Sequence, residues 1–303
     1  MMRNRIQFLA SALFFIFMFS QPARGEENKI NIVTTLPFLK DFVEQIGQNR
    51  VSVTTLLTGM ESEHTYTPKP GNILAIKNAR IMVQVGLGLE VWVKGLIANA
   101  ENPALVLITT SNGIPLMRDE ERNPTREDAD THDGGNPHIW LDPENAKIMV
   151  REITEDLIKI DTAHKDFYLK NQGLYLMKLD QTEMILISEL KGLKNKTIIT
   201  QHPAWPYFAR RFGLKVAGNL ITQIGAEPSA KQIRALIQLI RKENIRVIIS
   251  EPQLSNKIPQ MIAAESGARL VILSPLTGAI PGTETYISLI EYNVHQIIAA
   301  IKE

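Results

Sequence analysis

Three histidines have sequence surroundings that suit metal binding. The chain has only six histidines, and His64, His138 and His202 each lie in a segment that contains proline. Proline restricts the backbone on both sides of itself, so these side chains start from well-defined positions. Neutral imidazole is the commonest transition-metal ligand. The three histidines are therefore candidate metal ligands, and the alternative for each is a satisfied polar residue or a helix cap.

The spacing of these histidines limits the kind of metal chemistry. They are 74 and 64 residues apart, which is too far for a zinc finger, and the paired-histidine motif of metalloproteases does not occur. His132 lies in an acidic stretch and is expected at the surface, while His164 and His295 lie on helical stretches. A metal site in this chain must therefore be assembled from distant segments.

Alternating strand and helix patterns could bring such segments together. Short β-rich apolar runs, as at 30–34, 51–57 and 81–85, alternate with helical patterns, and the alternation resumes after 196. This predicts parallel sheets covered by helices. His64 and His202 each follow a predicted strand, and ligands bind outside the carboxyl ends of parallel strands.

A helical stretch separates the two halves of the chain. Its apolar residues recur at helical spacing from about 144 to 169 and, after a break near Gly173, to about 190. A helix of about 25 residues spans nearly 40 Å, more than a crossover between strands needs. We predict an α/β fold of two similar lobes, each a parallel sheet flanked by helices, joined by a single long backbone helix. The predicted divisions are an N-terminal lobe at 26–143, a linking helix region at 144–194 and a C-terminal lobe at 195–303.

The first 25 residues are typical of a signal peptide. Arg3 and Arg5 precede an apolar stretch at 6–19, and small residues before Glu26 favour cleavage there. The apolar stretch is short for a membrane span. The chain has no cysteine, which excludes disulfides and a cysteine-linked lipid anchor. We therefore expect a periplasmic protein without a direct membrane anchor.

The charge balance argues against polyanionic partners. The chain has 33 basic and 32 acidic residues, and removal of the signal peptide takes away three arginines and no acid. The chain without its signal peptide is slightly acidic, so its charge does not indicate binding to nucleic acid or to an anionic membrane. The segment 118–136 is rich in acidic residues and is predicted to be a solvated loop.

Four ordered motifs resemble those of the zinc/manganese-specific solute-binding proteins of ABC transporters. The motifs are HTYTPKP from His64, NPHIWLDP from Asn136, TQHPAWPYF from Thr200 and SEPQ from Ser250. The match extends from about residue 30 to the end. It implies metal capture between two α/β lobes and delivery to the membrane permease and ATPase subunits of an importer, by a protein that is not an enzyme and that we expect to be a monomer.

The same resemblance implies that His64, His138 and His202 are metal ligands. The third position carries histidine in zinc-type members and glutamate in many manganese-type members. His202 therefore favours Zn²⁺ as the transported ligand, with Mn²⁺ possible, because manganese prefers more oxygen donors. Trp140, Trp205 and Tyr207 are expected to pack around the site.

Two positions depart from the family pattern. The usual fourth ligand is an aspartate, and Ser274 stands in its place. Water, Glu63 or Glu251 could complete the ligand set, or the site could keep an open position. Glu251 could equally support a histidine from behind. The histidine-rich loop of many zinc-type members corresponds here to an acidic loop with His132 alone.

Other functions remain open at this point. A three-histidine zinc site with an open position is also a catalytic arrangement, so a zinc-dependent periplasmic hydrolase is the main alternative. A manganese- or iron-specific binding protein of the same family is another. A protein that binds a chelated metal or an organic ligand, or a surface adhesin, is a further possibility.

Overall fold

The computed structural model describes residues 29–117, 135–221 and 224–302. The predicted signal peptide lies outside these ranges, as does the acidic loop with His132 except for its last two residues. Among the described helices, none is both long and apolar enough to cross a membrane.

The N-terminal half forms a four-stranded parallel sheet in the order β2-β1-β3-β4. Two of its helices begin with proline, which suits the first helical turn because its missing N–H would have no partner there. The elements are β1 (Ile30–Thr34), α1 (Pro37–Gly47), β2 (Val51–Thr55), α2 (Pro70–Lys77), β3 (Ile81–Gln84), α3 (Val93–Ala100) and β4 (Val106–Thr109).

The C-terminal half repeats this topology. Its sheet has the order β6-β5-β7-β8, again with all strands parallel, so each strand corresponds to one of the first sheet. The elements are β5 (Thr197–Thr200), α6 (Pro206–Phe212), β6 (Lys215–Asn219), α7 (Ala230–Glu243), β7 (Val247–Ser250), α8 (Lys257–Ser266), β8 (Arg269–Ile272) and α9 (Tyr286–Lys302). The prediction of two similar α/β lobes is confirmed.

Two helices, α4 (Pro143–Ile160) and α5 (Lys165–Leu190), connect the halves. The predicted long backbone helix is confirmed and corresponds to α5, but the predicted continuity to residue 169 and the break near Gly173 were wrong. The break falls at Asp161, whose φ of −128° and ψ of 66° leave the helical region. Its carboxylate accepts hydrogen bonds from the ring of His164 and the hydroxyl of Tyr168. These contacts stabilise the break, whereas Gly173 lies inside the 26-residue helix α5 at the modest cost that glycine carries there.

A buried carboxylate joins helices from both ends of the chain. Asp41 on α1 accepts hydrogen bonds from the backbone N–H of Tyr286, at the start of α9, and from the hydroxyl of Tyr175 on α5. Burial raises the pKa of Asp41, although these hydrogen bonds oppose the rise. The carboxylate thus supplies a partner to an otherwise unpaired helix N-terminus and holds α9 against the first lobe.

Candidate metal centre

The loop after β2 carries Glu63 and His64. Trp92, just before α3, donates its indole N–H to the backbone carbonyl of Glu63 at 3.0 Å. The Trp92 ring also packs edge-on against Tyr66, with ring centroids 5.0 Å apart. The loop is therefore fixed on both sides of His64 by contacts within its own lobe.

His138 lies at the junction between the halves and is oriented by Asn136. The amide oxygen of Asn136 lies 3.0 Å from the His138 backbone nitrogen and 2.9 Å from Nδ1. The amide nitrogen of Asn136 faces the carbonyl oxygen of Pro203 at 2.7 Å, and a carbonyl can only accept. Nδ1 of His138 is therefore the protonated nitrogen, and Nε2 presents a lone pair.

His202 follows β5 and is oriented by Glu251, which follows β7. Its Nδ1 lies 2.9 Å from each carboxylate oxygen of Glu251. The indole N–H of Trp205 donates to the same carboxylate at 2.9 Å. Since a carboxylate accepts, Nδ1 of His202 donates and Nε2 is left as the ligating atom, as in metal sites with a supporting carboxylate.

The ring nitrogens of the three predicted histidines converge. Nε2 of His138 lies 3.1 Å from Nε2 of His64 and 3.3 Å from Nε2 of His202. Oε1 of Glu63 lies 3.5 Å from His138 Nε2 and 3.9 Å from His64 Nε2. A zinc ion about 2.0–2.1 Å from four tetrahedral donors places those donors about 3.3 Å apart. The cluster thus has dimensions that suit a tetrahedral zinc ion.

The cluster is enclosed by protein. His138, His202 and Glu63 are buried, and His64 is partly buried. Oε1 of Glu63 is buried, yet it accepts no hydrogen bond from the residues that the structure describes. Burying a carboxylate oxygen without a hydrogen-bond partner costs free energy, and a bound cation would offset that cost. The donor set therefore favours a cation over a neutral or anionic ligand.

Ser274 does not present a free hydroxyl. Its Oγ donates to the carbonyl of Leu276 at 2.7 Å, accepts from the N–H of the same residue at 3.0 Å, and lies 3.1 Å from Nε2 of Gln253. Glu63 and Glu251 were both candidates for the fourth donor from sequence. Glu63 lies in the cluster, whereas Glu251 contacts Nδ1 of His202 on the side away from the cluster.

A second group of carboxylates, on α4 and α5, surrounds the ammonium group of a lysine. Glu144, Asp180 and Glu183 converge around Nζ of Lys147, which contacts all three. Burial alone would lower the pKa of Lys147, but these hydrogen bonds raise it overall. The lysine occupies the position that a metal would need, so this cluster ties α4 to α5.

The expected aromatic residues lie around the site in different ways. The Trp140 ring is 5.4 Å from that of His138, Trp205 reaches the site through Glu251, and the Tyr207 hydroxyl donates to the Asn136 carbonyl. Sequence reasoning missed the supporting role of Asn136 and the contribution of Trp92. The position of Asn136 two residues before a candidate ligand was an available signal, whereas Trp92 lies 29 residues from Glu63 and had none.

Comparisons with known proteins agree with this architecture. The family described as zinc-uptake complex component A, periplasmic (ZnuA), matches residues 32–300. The high-affinity zinc uptake system protein ZnuA of Bacillus subtilis is 30% identical over 259 residues, covering 84% of this chain and 81% of that protein. The zinc-binding lipoprotein AdcA of Streptococcus pneumoniae is 26% identical, and this chain covers 60% of its length.

Solved structures show the same arrangement of lobes. A crystal structure of ZnuA aligns with a TM-score of 0.79 at 30% identity, over 90% of this chain and 99% of that one. The laminin-binding adhesin Lmb of Streptococcus agalactiae aligns with a TM-score of 0.79 at 25% identity, over 90% of this chain and 99% of that one. Two parallel-sheet lobes with a donor cluster drawn from both define a solute-binding protein. The chain belongs to the ZnuA family.

Proposed function

We propose that this protein binds one zinc ion between its lobes and delivers it to the permease and ATPase subunits of an ABC importer. The observation that carries the proposal is the convergence of His64, His138, His202 and Glu63 at distances that fit one tetrahedral ion. Membership of a family of periplasmic zinc-uptake components supports it. We further propose that the mature protein is a periplasmic monomer without a membrane anchor, released from signal peptide 1–25.

The donor set supports zinc over manganese or iron. Three imidazole nitrogens and one carboxylate oxygen, arranged at tetrahedral distances, suit zinc well. Manganese prefers octahedral oxygen-rich sites, and an imidazole ligand contributes less binding free energy to manganese than to zinc. Manganese binding is therefore a weaker second activity of the same site.

The arrangement supports transport and not hydrolysis. The two glutamates that could act as general bases have other roles, since Glu63 faces the histidine nitrogens and Glu251 is bonded to His202 and Trp205. A general base needs to reach a substrate proton beyond the metal. The family is a transport family and not a class of enzymes.

The metal content of the purified protein tests this function. We expect about one zinc ion per chain by elemental analysis, lost on chelation and regained on reloading. Competition titrations should show zinc binding at least about tenfold more tightly than manganese, or about 1.4 kcal/mol. Retention of no metal, or tighter binding of manganese, would contradict the proposal.

The fourth donor has its own test. Glu63→Gln keeps the shape of the side chain but removes its charge, so we expect it to weaken zinc binding about tenfold, or about 1.4 kcal/mol. The matched control is Glu265→Gln at an exposed position of α8. Ser274→Asp should tighten the binding of neither zinc nor manganese, because Glu63 already supplies the oxygen donor. If Ser274→Asp bound manganese more tightly than wild type, the fourth coordination position would have to be open.

A further inference from the structure

The two lobes meet backbone to backbone close to the metal centre. Gly59 has a φ of +101°, and a Cβ there would lie 2.2 Å from the Thr277 carbonyl oxygen. Gly278 has a φ of +78°, and a Cβ there would lie 3.1 Å from the Thr58 carbonyl oxygen. Each lobe therefore uses a glycine where the backbone of the other approaches, since a side chain at either position would separate them.

Gln253 adds a polar bond across the same contact. Its Nε2 lies 2.5 Å from the carbonyl oxygen of Gly59 in the first lobe and 3.1 Å from Oγ of Ser274 in its own lobe. The carbonyl of Gly59 can only accept, so the amide nitrogen must be the atom that faces it. The Gln253 side chain thus donates a hydrogen bond from the second lobe to the first and bridges the two lobes.

This bridge joins the two segments that carry the ligands. Gly59 lies on the same loop as Glu63 and His64, while Gln253 lies two residues after Glu251, which orients His202. Accepting the metal site proposed above, we propose that Gly59, Gln253 and Gly278 form an interlobe latch. The latch is a positioning device that holds the donors of the two lobes at binding distance and slows release of the metal.

The latch predicts an effect on dissociation more than on association. The ion leaves when the donors separate, and the latch opposes that separation without touching the ion. Affinity differences among variants of one site reside mainly in the dissociation rate. The effect should also be present before metal binds, because the three latch residues join one lobe to the other and none of them is a proposed metal donor.

Stopped-flow chase of bound zinc with a chelator measures the release rate. We expect Gln253→Ala and Gly59→Ala each to raise the zinc dissociation rate about tenfold, or about 1.4 kcal/mol, with the association rate nearly unchanged. The double variant should match the single variants, because both changes break one contact. The matched controls, Gln260→Ala and Gly95→Ala, lie at exposed helical positions and should release zinc at the wild-type rate.

A distance measurement on the metal-free protein makes the test independent of zinc. The chain has no cysteine, so Lys94→Cys and Lys231→Cys, one exposed site on each lobe, can carry spin labels. Gln253→Ala should lengthen or broaden the distance between the labels. Wild-type release rates in both single variants, additive effects in the double variant, or an unchanged distance would overturn the latch. A wild-type protein that binds no zinc would instead contradict the proposed function.

Discussion

Replacing any one of His64, His138 or His202 with alanine is expected to weaken zinc binding by at least about a hundredfold. The change removes one of the four proposed donors from an enclosed site, and water would have to take the place of an imidazole. Loss of a supporting residue behind a ligand typically costs 10- to 100-fold, so loss of the ligand itself should cost at least as much. A hundredfold loss is about 2.7 kcal/mol.

Competition titration against a chelator of known affinity measures this effect. His138→Ala should be the most damaging, because its Nε2 is the nitrogen that lies near both other histidines. His295→Ala is the matched control, since this histidine lies on α9 at the surface and pairs with Glu189. If the three variants bound zinc as tightly as wild type, the metal would have to bind elsewhere.

Zinc is expected to stabilise the folded protein by about 4 kcal/mol when free zinc is a thousandfold above the dissociation constant. The physical reason is that the proposed donors come from both lobes and their junction, so the assembled site exists only in the folded chain. At about 2 °C per kcal/mol for a chain of this size, the melting temperature should rise by about 8 °C.

Calorimetric melting with and without zinc tests this stabilisation. His202→Ala should lose most of the rise relative to its own metal-free melting temperature, because this residue acts through the site. His164→Ala should keep the whole rise, since its ring contacts Asp161 in the connection between α4 and α5. Unchanged melting under conditions where zinc is shown to bind would place the ion at a peripheral surface site.

The strands and most helices were predictable because they depend on local pattern. The short apolar runs at 30–34, 51–57 and 81–85 marked β1, β2 and β3 to within two residues of their observed ends. The long helix that joins the lobes was predicted and corresponds to α5, but the position of the break before it was not predicted. Glycine at 173 is a local signal for a break, but the hydrogen bonds to Asp161 arise from the folded arrangement and set the actual one.

For the metal centre, residue type and proline-flanked position singled out three of six histidines as candidates, and the motif resemblance implied that they are ligands. The sequence left both Glu63 and Glu251 as possible further donors, and it left open whether Glu251 supports a histidine instead. Their roles differ only because Glu63 points at the histidine nitrogens while Glu251 meets His202 on its far side. That distinction depends on side-chain direction in space, which spacing along the chain does not encode.

Fold class, the two-lobed repeat and the metal-binding histidine candidates thus follow from local preferences and residue chemistry, which act over a few neighbouring positions. The position of Glu63 as the proposed fourth donor, the closed turn around Ser274, the support from Trp92 and the contact of Gly59 with Gln253 depend on packing between segments up to 194 residues apart. Such contacts are set by which lobe surfaces meet, and this is determined only when both sheets and their connecting helices have assembled.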